Sequence, residues 1–384
     1  MTRWPKVKLQ ELLRPADIAV PVRQGDRYPN FGIYSFGRGL FEKPPIDGMA
    51  TSATTLRRVR AGNFIYSRLF AFEGSYGIVD EEFDGYFVSN EYPSFEIDRH
   101  RLEPAFLKAY FQTPFVWEAV AKGSKGVGSR RIRVQPDQVL QCQVPLPSID
   151  EQKVIARRLE ALDDNTRQIT LRLEAVEGSA ERLLRSYVFH SYGDHIPKKP
   201  MSALVTLRKP DVVVDRLVRY QFAGVYSFGK GVFASANKAG SEFAYDLLST
   251  VRAGDFTYPK LMAWEGGLGV VPPECDGMVV SPEFPVFSVD TSKILPEVLD
   301  VYFRTPEVWP TLAEISGGTN MRRRRLQPSA FLSYEMPVPP MATQIKIKEL
   351  HKRVRTLKDK HAAIHAASRA LLPATRERLF SVAT

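Results

Sequence analysis

Two basic, glycine-spaced stretches are the part of this chain whose residue types could do chemistry on a partner. The first, KGSKGVGSRRIR, places Lys122, Lys125, Arg130, Arg131 and Arg133 among glycines and serines. The second, SGGTNMRRRR, begins at Ser316 and sets Asn320 ahead of Arg322, Arg323, Arg324 and Arg325. Cationic side chains on a glycine-rich loop suit phosphate oxygens, because small residues let the main chain come close to a polyanion. Arg and Asn also have the donor geometry to pair with base edges in a DNA major groove. A solvated surface run would have the same composition, so recurrence has to separate the two readings. Arg130 and Arg322, Arg131 and Arg323, and Arg133 and Arg325 all stand 192 positions apart, half the length of the 384-residue chain.

That offset runs without a gap through both halves. YSFGRG from Tyr34 returns as YSFGKG from Tyr226, and RAGNFIYSRLFAFEGSYGIV from Arg60 returns as RAGDFTYPKLMAWEGGLGVV from Arg252. YFQTPFVW from Tyr110 meets YFRTPEVW from Tyr302, and the register survives to Gln152 and Gln344. A repeating unit this long can hold its own core, so it reads as a duplicated domain and not as a solenoid. The YSFG element reads as a strand and turn that both domains need for folding. Arg38 and Lys230 keep a positive charge there in each copy, and a contact from them to a phosphate is the functional alternative.

The elements that must position these loops are mixed. From about Leu9 to Pro147 the segments FIYS, YGIV, YFVS and SFEI are rich in β-branched and aromatic residues and are separated by Gly, Asp and Pro, which predicts short strands and turns. PAFLKAYFQTPFVWEAVAKG predicts a helical stretch interrupted around Pro114 and stopped at Gly123. The plan repeats from about Met201 to Pro339, so each globular unit is expected to be α+β.

After each unit the apolar period lengthens to 3.5 residues, the mark of a heptad seam. In the first half the seam is read as Ile155, Leu159, Leu162, Thr166, Ile169, Leu173, Val176, Ala180, Leu183 and Tyr187. In the second it is Ile347, Leu350, Val354, Leu357, His361, Ile364, Ser368 and Leu371. A lone heptad helix exposes its stripe, so the two long helices are expected to pair with each other as an antiparallel coiled coil, with a second protein or a second copy of the chain as the alternative partner. Near the end, ERLF from Glu377 matches ERLL from Glu181 only after a four-residue shift, and Pro373 lies nearby. The last turn there is expected to be irregular. The resulting boundaries are a globular domain over 1–150, a long helix over 151–192, a second globular domain over 193–341 and a second long helix over 342–384.

Composition narrows the function classes. With 53 Lys and Arg against 43 Asp and Glu the net charge is +10, which favours a polyanionic partner. The two cysteines, Cys142 and Cys275, fall at unrelated positions of the repeat, so neither a disulfide framework nor a cysteine metal site follows. The N-terminus lacks the apolar stretch of a secretory signal and no run is long enough to span a bilayer, which predicts a cytoplasmic protein with no membrane partner. His361 and His365 have the i, i+4 spacing of a zinc pair, but the glutamate of HExxH is missing and His361 falls on the seam, so a residue fixing helix register is the better reading. Glu82 recurs as Glu274 while Glu96 is replaced by Ser288, with no lysine held at a matching position; a nuclease centre is therefore not supported, although a nucleic-acid-modifying enzyme with an unrecognised site stays open as the alternative. No phosphate-binding loop and no Asn/Asp-Pro-Pro-aromatic tetrapeptide of a methyltransferase is present.

Each basic loop leads into a proline-rich strand end and then a long helix. The stretches are VQPDQVLQCQVPLPSIDEQKVIARRLEAL from Val134 and LQPSAFLSYEMPVPPMATQIKIKEL from Leu326. This arrangement resembles the DNA-specificity subunits of type I restriction-modification systems, with Glu151 replaced by Thr343 in the second copy and Gln152 kept as Gln344. The resemblance implies two tandem target recognition domains, each followed by a long helix, reading a bipartite double-stranded DNA site without catalysis of their own. It also implies two adenine-methylating modification subunits and an ATP-dependent restriction subunit as partners. S-adenosylmethionine and ATP would be bound by those partners and no cofactor by this chain.

Overall fold

The computed structural model describes residues 4–16, 18–122, 133–190, 196–318 and 324–381. The chain divides into two compact units, residues 1–171 with 363–384, and residues 172–362. In unit 1 a five-stranded sheet runs in the order Ile18–Pro21, Thr55–Arg58, Phe87–Val88, Arg27–Ile33, Leu40–Asp47. A four-stranded sheet follows the order Leu13–Pro15, Ser94–Ile97, Phe64–Tyr66, Tyr76–Ile78, and Lys6–Lys8 pairs with Gln143–Pro145. All pairings are antiparallel except Asn30 with Phe87. The strand signals over FIYS, YGIV, YFVS and SFEI are therefore met by strands. The predicted interrupted helix is two helices, α1 (Pro104–Phe111) and α2 (Pro114–Ala121), each with proline in its first turn, where no N–H partner is lost. A short α3 (Pro136–Leu140) precedes α4 (Ile149–Phe189).

Unit 2 repeats the plan strand for strand. Its five-stranded sheet runs Val212–Val213, Leu247–Thr250, Val279–Val280, Arg219–Tyr226, Gly231–Ala239, and again only one pairing is parallel, Phe222 with Val279 at the equivalent positions. Helices α5 (Pro296–Phe303), α6 (Trp309–Glu314) and α7 (Pro328–Ser333) precede α8 (Met341–Ser381). In each unit the main core lies between the four-stranded sheet and the first helix: Phe64, Tyr66, Phe95, Phe106 and Phe111 in unit 1, and Phe256, Tyr258, Phe287, Val298 and Phe303 in unit 2.

The long helices pair antiparallel within both units. In unit 1 Ile155 and Leu159, near the start of α4, join the same core as Leu372 and Phe380, near the end of α8. In unit 2 Leu184 and Val188, near the end of α4, pack with Ile347 near the start of α8. The heptad reading of the seam needs correction in its later part. Ile169, Val176 and Leu183 are 41, 48 and 50% exposed, while Leu184 and Val188 are buried. One stripe of covered positions is Ile155, Leu159, Leu162, Thr166, Thr170, Leu173, Glu177, Glu181, Leu184 and Val188, with the heptad positions Ala180 and Tyr187 half-buried beside it. Nine steps from Ile155 to Val188, a separation of 33 positions, is about 3.7 per step, an eleven-residue pattern close to the natural period of a straight helix. A strict heptad drifts about 20° per repeat relative to a straight helix, so after two repeats the neighbouring residue takes over the buried side. On α8 the same drift replaces Ile364 and Leu371 by His365 and Leu372. Pro373 does not end α8, which continues to Ser381.

His361 is 6% exposed and its Nδ1 lies 2.9 Å from Glu177 Oε1, which makes it a polar pair in the helix seam, not half of a zinc site. Among the described residues no group of three or more His, Cys, Asp or Glu side chains could hold a metal ion. No described helix is long and apolar enough to cross a membrane.

Gln152 and Gln344 tie each long helix to its globular body. Both are buried at the helix start. Gln152 accepts from Glu103 N–H at 2.8 Å and donates through Nε2 to the carbonyls of Arg101 and Pro147, both at 2.9 Å. Gln344 accepts from Leu295 N–H at 2.8 Å and donates to Lys293 O at 3.2 Å and Pro339 O at 2.8 Å. Only an amide offers an acceptor and two donors at one side-chain end, which explains why glutamine is kept where its neighbour Glu151 gives way to Thr343.

Candidate nucleic-acid interface

The first basic loop leaves α2 at the exposed Lys122 and returns at Arg133. Its return is fastened by main chain: Val134 N–H donates to Arg68 O at 2.9 Å, and Arg68 N–H donates to Glu91 O at 2.9 Å. The second loop returns in the same way, with Leu326 N–H donating to Lys260 O at 2.9 Å and Lys260 N–H to Glu283 O at 3.0 Å. A side-chain pair reinforces each exit. Arg133 meets Glu91 at 3.2 Å and Arg325 meets Glu283 at 3.4 Å. These half-exposed pairs contribute under about 1 kcal/mol apiece, so they orient more than they stabilise. Arg325 also exchanges main-chain hydrogen bonds with Gly317 at 2.8 and 3.1 Å, closing the base of its loop.

The sequence-predicted cations thus fall into three groups. Arg133 and Arg325 sit at the loop exits, each facing a glutamate. Lys122, Arg324, Arg38 and Lys230 are described, and all but the half-buried Arg324 are exposed. Lys125, Arg130, Arg131, Asn320, Arg322 and Arg323 lie outside the described residues. Glu91 and Glu283 were missed by the sequence reading. Their signal was available, since both occupy the same position of the repeat.

The YSFG stretch is the turn between strands Arg27–Ile33 and Leu40–Asp47 in unit 1, and between Arg219–Tyr226 and Gly231–Ala239 in unit 2. It docks on the segment that also holds the basic loop. Phe36 N–H donates to Glu73 O at 2.7 Å and Gly37 N–H to Gly74 O at 2.9 Å, with Phe228 to Glu265 at 2.8 Å and Gly229 to Gly266 at 3.0 Å in the second copy. Gly74 and Gly266 have φ near +80° and +76°, and an added Cβ would lie 2.4 and 2.3 Å from the rings of Trp117 and Trp309. Glycine is required there on both counts. Gln112 in unit 1 and Arg304 in unit 2 each donate to the carbonyl of the turn's first glycine, at 2.8 and 2.6 Å. Arg38 folds back, its Nε donating to Ser35 O at 3.0 Å and its guanidinium 4.9 Å from the Tyr34 ring centre. The repeated phrase is therefore a structural turn, as read from sequence, with its basic residue at the surface.

Unit 2 also holds a cleft of about 730 Å³ lined in part by Arg304, His351, Arg355 and Lys358. Its cations face acids. Arg355 donates to both oxygens of Glu274 at 3.0 and 2.8 Å, and Asp300 accepts from Arg304 at 3.1 Å and lies 3.0 Å from His351 Nε2. Burial alone would raise the Asp300 carboxyl, but the His351 hydrogen bond and the Arg304 charge outweigh it and hold the group below the ordinary aspartate range. The equivalent residue of unit 1 is Lys108, so this network belongs to one copy only.

Residues 60–177 match the family model described as the Type I restriction modification DNA specificity domain. Over that span the chain is similar to a type I specificity domain. The matched span runs from just before strand Phe64–Tyr66, across the basic loop, through most of α4, and the 192-residue offset carries the same elements to 252–369 in the second half. Among solved structures, the HsdS subunit from Thermoanaerobacter tengcongensis shares the fold at 18% identity and a TM-score of 0.55, over 98% of this chain and 96% of that one. A chain solved in work on complex assembly and conformational transition of the type I R-M system aligns at 16% identity and a TM-score of 0.61, over 98 and 97%. No curated protein matches the chain.

Proposed function

We propose that this chain is the DNA-specificity subunit of a type I restriction-modification system. In this reading its two globular units are target recognition domains that each bind one half of a bipartite double-stranded site. The observation that carries the reading is the specificity-domain match over residues 60–177, doubled by an internal repeat that sets a basic loop on the same main-chain support in each unit. The chain itself does no chemistry in this reading. Methylation of adenine by two modification subunits, with S-adenosylmethionine, and ATP-driven restriction by a further subunit are supplied by partners. Lys122, Lys125, Arg130, Arg131, Asn320, Arg322, Arg323 and Arg324 are the proposed DNA contacts, with Arg38 and Lys230 at the neighbouring turns. Arg133 and Arg325 take a supporting role, since each meets a glutamate at its loop exit.

The decisive experiment is methylome sequencing of cells that express the chain with its modification subunit. Methylated adenines should fall in one two-part motif with a fixed gap, and replacing residues 1–147 by those of a relative should change one part of the motif only. No new methylation, or a change in both parts, would overturn the reading. At the loops, Arg322→Gln with Arg323→Gln should weaken binding to every duplex and lower the log–log salt slope by about 0.9 for each phosphate that the two arginines neutralise.

A further inference from the structure

We propose that Phe36 and Phe228 are aromatic contacts to duplex DNA, made in the same way by both units beside their basic loops. The proposal rests on the DNA-specificity reading and adds residues to it. Each phenylalanine stands in the turn with φ of +63° and +62°, in the left-handed region that a bulky side chain occupies only when its surroundings impose it. Each ring touches a tryptophan at one side, Phe36 at 6.4 Å from Trp117 and Phe228 at 6.3 Å from Trp309 between ring centres, with Arg38 6.0 Å from the Phe36 ring, yet the two residues stay 64 and 65% exposed, so these contacts cover only part of each side chain. Glycine or asparagine would hold the same backbone with less strain. An exposed ring on a strained backbone, present twice, points to a surface that the ring meets outside the chain.

The position of the ring identifies that surface as nucleic acid. The acceptors that pin the Phe36 turn, Glu73 and Gly74, belong to the same short segment as Arg68, whose carbonyl holds the exit of the basic loop. Glu265, Gly266 and Lys260 repeat the arrangement. Phe70 and Met262, 47 and 44% exposed, stand between the two anchor points in sequence and add exposed apolar side chains to the same segment. The residue two places after each phenylalanine is basic, Arg38 or Lys230. A rigid apolar tip flanked by cations matches the way side chains wedge against base steps while neighbouring cations meet phosphates. Since both tips are identical in sequence, the contact does not distinguish the half-sites. It sets how deeply each unit seats on the duplex.

The test uses the full chain with Phe36→Asn and Phe228→Asn together, and Phe36→Gly with Phe228→Gly as a second pair, because both replacements accept the left-handed backbone. Thermal melting should show the fold unchanged or stabilised. Fluorescence anisotropy on a mixed-sequence duplex should show affinity at least about fivefold weaker at every salt concentration with an unchanged salt slope, since a ring neutralises no phosphate. Duplexes carrying 2-aminopurine should brighten with the natural chain and not with the variants. If affinity and 2-aminopurine signal stay at natural levels while the Arg322/Arg323 variant shows a shallower slope, the aromatic contact is refuted and the DNA reading stands. If DNA affinity holds but capture of the modification subunit fails, the tip is a protein contact and the proposal is wrong. If the natural chain shows no salt-sensitive DNA affinity, both readings fall.

Discussion

Replacing Gln344 by alanine tests how the long helix is joined to its globular body. The side chain is 1% exposed, and truncation strips three partners at once: Leu295 N–H at 2.8 Å, Pro339 O at 2.8 Å and Lys293 O at 3.2 Å. A net hydrogen bond is worth about 1 kcal/mol, and a buried group left without a partner costs somewhat more, so the loss should be about 3 kcal/mol. For a unit of this size that lowers the melting temperature by roughly 6 to 12 °C. Gln152→Ala should act with similar size on unit 1, so calorimetry of the full chain should show each variant moving a different part of the transition. Gln344→Glu adds a signature of its own. It keeps the shape and the acceptor, loses the donors, and buries a carboxylate against two carbonyls, which raises the folded-state pKa of the new acid above its unfolded value. The penalty is therefore full near neutrality and shrinks as the pH falls toward roughly 4 to 5, where protonation restores a donor. Alanine variants losing less than about 1 kcal/mol, or a glutamate variant whose loss does not change with pH, would refute the clamp.

Further outcomes follow from individual side chains. Gly74→Ala, whose Cβ would lie 2.4 Å from Trp117, should cost about 2 kcal/mol or more in unit 1 by melting, and Gly266→Ala the same in unit 2; a neutral result would show that the tryptophans can retreat. Asp300→Asn should destabilise unit 2 by about 2 kcal/mol, because Arg304 and His351 lose their shared anion. As the folded-state pKa of Asp300 is depressed, its contribution is present above the usual aspartate pKa and lost as the pH falls through the lower folded value, so the gap between natural chain and variant should close in acid. His361→Leu should leave stability within about 1 kcal/mol of the natural chain, since Glu177 is 30% exposed and can turn to water; a loss above about 2 kcal/mol would mean the polar pair holds the helices together.

The duplication was legible because it needs only a constant offset, and from it came the two α+β units and the two long helices. The breaks around Pro114, the strand segments and the role of the YSFG turn were equally readable, since Gly and Pro restrict the backbone locally. The drift of the helix seam was not, because Ile169, Val176 and Leu183 satisfy a heptad on paper and only the distance over which a straight helix stays in register decides against them. Pro373 misled for a related reason: its penalty in an isolated helix is large, but a helix supported along its side continues through it. The glutamate partners of Arg133 and Arg325 were not read because they lie 42 positions away in sequence, beyond any local pattern.

The fastening of the basic loops has a consequence for how such a chain changes over generations. The return of each loop is held by peptide groups, Val134 to Arg68 and Leu326 to Lys260, and peptide groups are the same whatever side chains surround them. The scaffold is blind to the letters it carries between those fixed ends. Substitutions, or a wholesale exchange of the stretch, leave that support intact, so either loop can change its letters without disturbing the peptide hydrogen bonds that hold its return.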